Sequence, residues 1–327
     1  MEKSSLNGWK AKESIDGEEK YPPYLSADWK DFSIGDIWEG RDYYLWIQTT
    51  FKVPRSDGKV ILLLDFGRTG GGYNSGFESL LFIDGHPYQG VDSNHKEVFI
   101  DSELYGKEIT LSLKLWSGLE GGGPEHIQSH KFKAADSAVL NEECDDLYFT
   151  ADCVLKTIKQ LKEDNPDRYE LLPLLEKAMK YIDWSYPGSP SFYKSVKLAN
   201  DMLQKGIDSL DKRDLVAITT IGHTHIDVAW LWRLKHTREK VARSFSTVLQ
   251  LMKQYPDYIF LQTQPQLYKF IKEDYPLIYE QIKNRIAEGR WEVDGAMWLE
   301  ADCNIPSGGI INSANSPWNA IYKKGVQ

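Results

Sequence analysis

The sequence predicts a multidomain chain of mixed β and α structure: an antiparallel β-sandwich over residues 1–135, a helical segment over 136–213, and from 214 onward the strand–helix alternation of a parallel sheet or barrel. Three observations carry that reading. Short apolar runs separated by Gly, Pro, Asp and Asn clusters fill the first stretch, as antiparallel strands do. Helical periodicity replaces alternation in the second. In the third, strand-like runs and helix-length amphipathic stretches take turns, as parallel βαβ units require.

The elements follow in order. Residues 43–53 (YYLWIQTTFKV) form a strand that ends at Pro54. Residues 60–66 (VILLLDF), 80–84 (LLFID, turning at Gly85), 98–100 and 109–116 (ITLSLKLW) are further strands, and the glycine runs 70–72 and 121–123 are loops. Helical periodicity covers 155–161, 171–182 and 192–207, with Pro187-Gly188-Ser189-Pro190 separating the last two. A buried strand over 215–221 (LVAITTI) leads to a helix over 237–254 and a second strand over 258–262. A helix over 265–288 breaks near Pro276, because proline lacks the amide donor, and it stops at Gly289. Residues 291–295 (WEVDG) are a third strand.

Composition narrows the function classes. A net charge of −9 over 327 residues disfavours nucleic acid and anionic membranes as main partners, since both attract basic surfaces. Three scattered cysteines (Cys144, Cys153 and Cys303) make neither a disulfide framework nor a CxxC metal knuckle. The N-terminus lacks an apolar signal core and no uncharged run approaches a membrane span, so a soluble cytoplasmic protein is expected, and oligomerisation stays open. Aromatic residues make up 13%, with eleven Trp, a content that suits both sugar stacking and a large core.

Chemistry concentrates after the strand at 215–221. His223, His225 and Asp227 follow at spacing two, which in extended chain projects all three to one side. Barrel enzymes react at the C-terminal ends of their strands, and imidazole with carboxylate is a zinc-type donor set. A second constellation, Asp294, Glu300 and Asp302, follows the third strand and supplies carboxylates of the kind glycoside hydrolysis needs, although loop acids and helix caps are the commoner fate of each. Trp230, Trp232 and Trp298 flank the first group and serve equally as core or as a sugar-stacking floor, and Gln262 and Gln264 end the second strand near the same mouth.

Three ordered motifs, GHTHIDVAWLWR (222–233), FLQTQPQLYKFI (260–271) and RWEVDGAMWLEADCNIPSG (290–308), resemble the α-mannosidases of glycoside hydrolase family 38, in particular the bacterial and cytosolic type with an N-terminal extension. The resemblance is strong over about 214–308 and weaker before it. It implies that 214–308 is the first part of a (β/α)7 catalytic barrel holding one zinc ion. It implies His225 and Asp227 as zinc ligands, with His223 a neighbour. Asp302 becomes both zinc ligand and nucleophile, and Trp230 supports the reacting sugar. The implied activity is retaining hydrolysis of terminal α-mannosides in mannose-containing oligosaccharides.

The family also uses a distant histidine as a further zinc ligand and a separate carboxylic acid as proton donor. This chain continues only 25 residues past Asp302, so it is expected to be an N-terminal fragment lacking both, poorly soluble, weak in zinc binding and without appreciable activity alone. The tail 309–327 departs from the family's Glu-Ser-Leu continuation. One permitted back-translation, shifted by a base, restores Glu-Ser-Leu-Ile-Arg, so 309–327 is expected to be out-of-frame translation. Two other readings compete. A metal-dependent barrel amidohydrolase would use His223 and His225 and leave Asp227 unexplained. A carbohydrate-binding module would use the 1–135 sandwich.

Overall fold

A computed structural model describes residues 3–67, 76–120, 123–211 and 218–293. These fall into two compact units: one of residues 55–61 and 138–218 with the first three residues, the other of 4–54, 62–137 and 219 onward. Among the described residues no helix is long and apolar enough to cross a membrane.

The chain first runs through β1 (Lys3–Ser5), β2 (Lys10–Ser14), β3 (Lys30–Asp31), β4 (Ile37–Gly40), β5 (Tyr44–Lys52), β6 (Val60–Asp65), β7 (Glu78–Ile83) and β8 (His86–Asp92). Next come β9 (Glu97–Phe99), β10 (Glu108–Trp116), β11 (Gln128–Lys131) and β12 (Ala134–Val139). Helices α1 (Glu142–Gln160), α2 (Pro166–Tyr181) and α3 (Pro190–Asp208) follow. Then strand and helix alternate: β13 (Gly222–His223), α4 (Leu234–Gln254), β14 (Phe260–Gln262), α5 (Pro265–Asp274), α6 (Pro276–Ala287) and β15 (Trp291–Val293).

The larger unit is built on a six-stranded antiparallel sheet in the order β3-β2-β5-β10-β7-β8, with a second sheet ordered β1-β12-β6-β9. Its long central pair, β5 and β10, keeps one register from Tyr44↔Trp116 to Lys52↔Glu108. Both faces of β7 are buried, which explains its continuous apolar run Leu80–Ile83, whereas β10 alternates in sequence although its Ser112 and Lys114 are buried too. Trp46, Leu80 and Phe82 belong to the same buried cluster as Val241 and Phe245 of α4 and Leu267 of α5. Helix α4 packs tightly on β8 at Gly90, where a Cβ would lie 2.9 Å from Thr247 Oγ1 and 3.1 Å from Arg243 O, so a side chain there would push the helix off the sheet.

The smaller unit is a three-helix packing. Asn141, Asn165 and Ser189 cap α1, α2 and α3 by accepting backbone amides, and Pro166 and Pro190 occupy first-turn positions where no amide donor is required. Leu147, Val154, Leu175, Val196 and Leu203 form its core. Helix α1 starts at Glu142, well before the periodicity at 155, because its first turn is acidic (Glu142, Glu143, Asp145) and hides the apolar stripe while matching the positive helix end.

In the last part, α5 stops at Asp274 and α6 restarts at Pro276, and Gly289 takes the left-handed conformation (φ +71) just beyond α6. One expectation is corrected. Residues 218–221 are not strand, and Ile218 and Ile221 are exposed. The strand is Gly222–His223. An edge strand extends only as far as its neighbour pairs with it, and β14 begins at Phe260, opposite Gly222, with one further bond from Gly222 N to Ile259 O.

Candidate functional site

Strands β13, β14 and β15 make a three-stranded parallel sheet in that order, with Gly222 opposite Phe260 and Phe260 opposite Trp291. Parallel neighbours need crossovers, and α4 and the α5–α6 pair supply them. Gly222 is required by space: a Cβ there would sit 2.1 Å from Tyr258 Oη. Below the sheet, Trp291 donates through Nε1 to Tyr268 Oη (2.8 Å), and Tyr268 donates to Gln262 O (2.8 Å), so the two crossovers share one buried anchor.

Beyond β13 the side chains separate by face. Ile226 is buried in the core shared with α4, while His223 and His225 are exposed. His225 Nε2 and Asp227 Oδ1 are 3.1 Å apart. His223 instead sets its Nδ1 2.9 Å from Leu261 O across the sheet. The Asp227 turn is held by one buried hydroxyl: Thr237 Oγ1 donates to Asp227 O (3.2 Å) and accepts from Ala229 N (3.0 Å) and Trp232 Nε1 (3.1 Å). That uses the hydroxyl's one proton and both lone pairs. Ala229 is left-handed at φ +58, a conformation that costs a side-chain residue energy and persists only where its surroundings impose it. The strain delivers Trp230 to the surface, 58% exposed and edge-on to Trp232 at 5.4 Å.

A cavity of about 360 Å³ opens beside Asp227. Asp227, Trp230, Trp232 and Lys240 line one side, and Glu78, Asp92 and Trp116 of the six-stranded sheet line the other. Lys240 Nζ is 3.0 Å from Glu78 Oε1 and 4.8 Å from the Trp232 ring centre. Burial pushes the Lys240 ammonium below its ordinary pKa, with Asp92 and Asp227 pulling the other way. Glu78 is also paired with Arg243.

Asp294, Trp298, Glu300 and Asp302 lie outside the described residues. Among the described residues no group of three or more His, Cys, Asp and Glu side chains is arranged to hold a metal ion. His225 and Asp227 are a two-donor arm of the kind a tetrahedral zinc site uses. At the end of β14, the buried Gln262 has neither amide atom hydrogen-bonded among the described residues, and neither Thr263 Oγ1 nor Gln264 Oε1 has a partner there.

Residues 215–312 match the glycosyl hydrolases family 38 N-terminal domain. Over this segment the chain resembles the glycoside hydrolases of family 38, and the relatives it is similar to are alpha-mannosidases. It is similar to alpha-mannosidase G of Dictyostelium discoideum, 26% identical over 303 residues, covering 88% of this chain and 27% of that protein. It is 29% identical over 304 residues to alpha-mannosidase 2C1 of Homo sapiens, covering 88% of this chain and 28% of that one. An alpha-mannosidase of Saccharomyces cerevisiae is 30% identical over 162 residues, 46% of this chain and 14% of that protein. The chain thus spans little more than a quarter of the first two relatives' length, and their similarity reaches well outside the 98-residue family 38 segment.

The family 38 motif points to His225, Asp227 and Trp230, but Glu78, Asp92, Trp116 and Lys240 carry no local signal. They come from β7, β8, β10 and α4, and only the packing of α4 on the sheet brings them to one cavity.

Proposed function

We propose that this chain carries the first part of the catalytic centre of an α-mannosidase, at the mouth of a β/α barrel that begins with β13. The observation that carries the reading is the 3.1 Å approach of His225 Nε2 to Asp227 Oδ1 at the end of a parallel strand, with the exposed Trp230 three residues on. In this reading His225, Asp227 and Asp302 hold one zinc ion. Bound zinc would supply Lewis-acid charge that orients two neighbouring hydroxyls of the sugar.

The residues' own roles follow. Trp230 offers an apolar face to the mannosyl ring. The Asp302 carboxylate attacks the anomeric carbon as the bond to the leaving oxygen breaks, while a carboxylic acid, unassigned in this chain, protonates that oxygen. Water, giving up a proton to that same carboxyl group, then attacks the anomeric carbon on the face the leaving group left and releases the Asp302 carboxylate, so two inversions retain the configuration. The substrate class is terminal α-mannosides of oligosaccharides.

The test is a zinc titration of the chain by calorimetry, repeated with Asp302→Ala. One site, weakened by the substitution, is expected. Zinc affinity unchanged in Asp302→Ala would remove Asp302 from the centre and overturn the reading.

A further inference from the structure

We infer that the cavity beside Asp227 is a second saccharide subsite, whose outer wall is the N-terminal sheet, and that it takes the sugar attached to the reacting mannosyl unit. This rests on the function proposed above, which places the reacting ring against Trp230.

The cavity's chemistry selects a neutral polyol. Its carboxylates are already partnered: Glu78 by Lys240 and Arg243, Asp92 by His95 and Asp227 by His225. A phosphate- or carboxylate-bearing ligand would find the lining ammonium, Lys240, already engaged by Glu78. Sugar hydroxyls donate to carboxylate oxygens, and the apolar face of a pyranose matches an indole. Trp230 and Trp232 present indoles at right angles, and Trp116 adds a third at the sheet side. A volume of about 360 Å³ falls within the roughly 300–1,000 Å³ of small-molecule sites.

The wall is also rigid, which lowers the ordering cost of binding. Gly90 N donates to Thr247 Oγ1 (3.1 Å), and Glu78 is held by both Lys240 and Arg243 of α4. Asp92 is oriented by accepting the amides of Asn94 (2.7 Å) and His95 (2.8 Å) on Oδ1, while its Oδ2 lies 3.0 Å from His95 Nδ1 and has lone-pair capacity for a hydroxyl donor. The sheet therefore offers fixed acceptors on the side of the cavity opposite Trp230.

The experiment compares methyl α-mannoside with α-mannobiose by NMR titration of the zinc-loaded chain. The disaccharide is expected to bind about tenfold tighter, the gain of one well-placed aromatic and polar contact set. Ser93→Phe, on the sheet side of the cavity, should erase that gap and leave the methyl α-mannoside affinity unchanged. Asp92→Asn keeps an acceptor for the turn and should narrow the gap about threefold through a weaker hydroxyl contact; it decides the matter if Ser93→Phe fails to fold. Equal affinities, or a gap that survives both substitutions, overturns the subsite and leaves the catalytic reading standing. Failure of both sugars to bind overturns the two together.

Discussion

His236 Nε2 donates to Asp42 Oδ1 at 2.8 Å, joining residues 194 apart in the chain. The other ring nitrogen, Nδ1, accepts the Arg233 amide at 3.0 Å, so the tautomer follows from the geometry. Trp116 donates its indole N–H to the same Asp42 oxygen (2.8 Å) and stacks on the imidazole at 4.5 Å, and the Arg233 guanidinium pairs with the carboxylate. The turn between β4 and β5 thereby fixes the start of α4, directly after the segment that carries His225, Asp227 and Trp230.

Asp42→Ala should destabilise the chain by about 2–4 kcal/mol, because it strands two buried N–H donors and puts a plain side chain at a left-handed position. The backbone there has φ +55. Asp42→Asn keeps one acceptor oxygen and tolerates that backbone, so its loss should be smaller, about 1–2 kcal/mol. Urea unfolding of the two variants checks the order.

Acid should weaken the same junction. Burial pushes the His236 pKa down to about 4, with Glu239 opposing and Lys235, Arg233 and Lys240 reinforcing. The Asp42 charge is already matched by Arg233, and a proton on Nδ1 would break the Arg233 amide bond. Against an unfolded value of about 6.5, the unfolded chain takes up the proton first. The contribution is therefore complete above about pH 6.5 and lost as pH falls to about 4, amounting to at most about 3 kcal/mol. Asp92 and Asp274, whose carboxyls are lowered, lose their contributions only in stronger acid. His95, raised by Asp92, acts with the opposite sign, its contribution fading as pH rises. Denaturation midpoints near pH 7 and pH 5 should differ in the native chain, and much less in His236→Gln.

Zinc affinity should separate the two histidines. His225→Ala and Asp227→Ala should cost more than the roughly 10–100-fold typical of outer-shell partners. His223, whose ring is engaged with Leu261 O, should cost less when replaced by Ala. Competition against a fluorescent chelator measures all three. A larger loss at His223 than at Asp227 would favour the amidohydrolase assignment.

Gly222→Ala should destabilise by about 1–3 kcal/mol through overpacking, since its Cβ would collide with Tyr258 Oη. In the double variant with Tyr258→Ala the collision is gone, so the two losses should be markedly less than additive. Thermal unfolding of the four proteins gives the coupling directly.

Local features of the sequence anticipated much of this. The alternation in 43–53 and 109–116 corresponds to β5 and β10, Pro276 marks the break between α5 and α6, and Gly289 ends α6. Spacing two put His225 and Asp227 on one side of the chain, and their polar atoms are 3.1 Å apart. The acidic first turn of α1 hid its start. The apolar run at 215–221 suggested a longer strand than a short neighbour, β14, can pair with.

The sequence by itself determined the order of elements, the family 38 motifs and the residue types at the site, because caps, breaks, periodicity and short motifs act over a few neighbouring residues. Only the tertiary structure decided that β7 and β8 wall the cavity beside Asp227, that Asp42 holds His236, and that Glu78 meets Lys240 and Arg243. These partners lie between 162 and 194 residues apart. Their meeting depends on α4 burying its apolar face against the sheet, a packing result that no local pattern in either segment records.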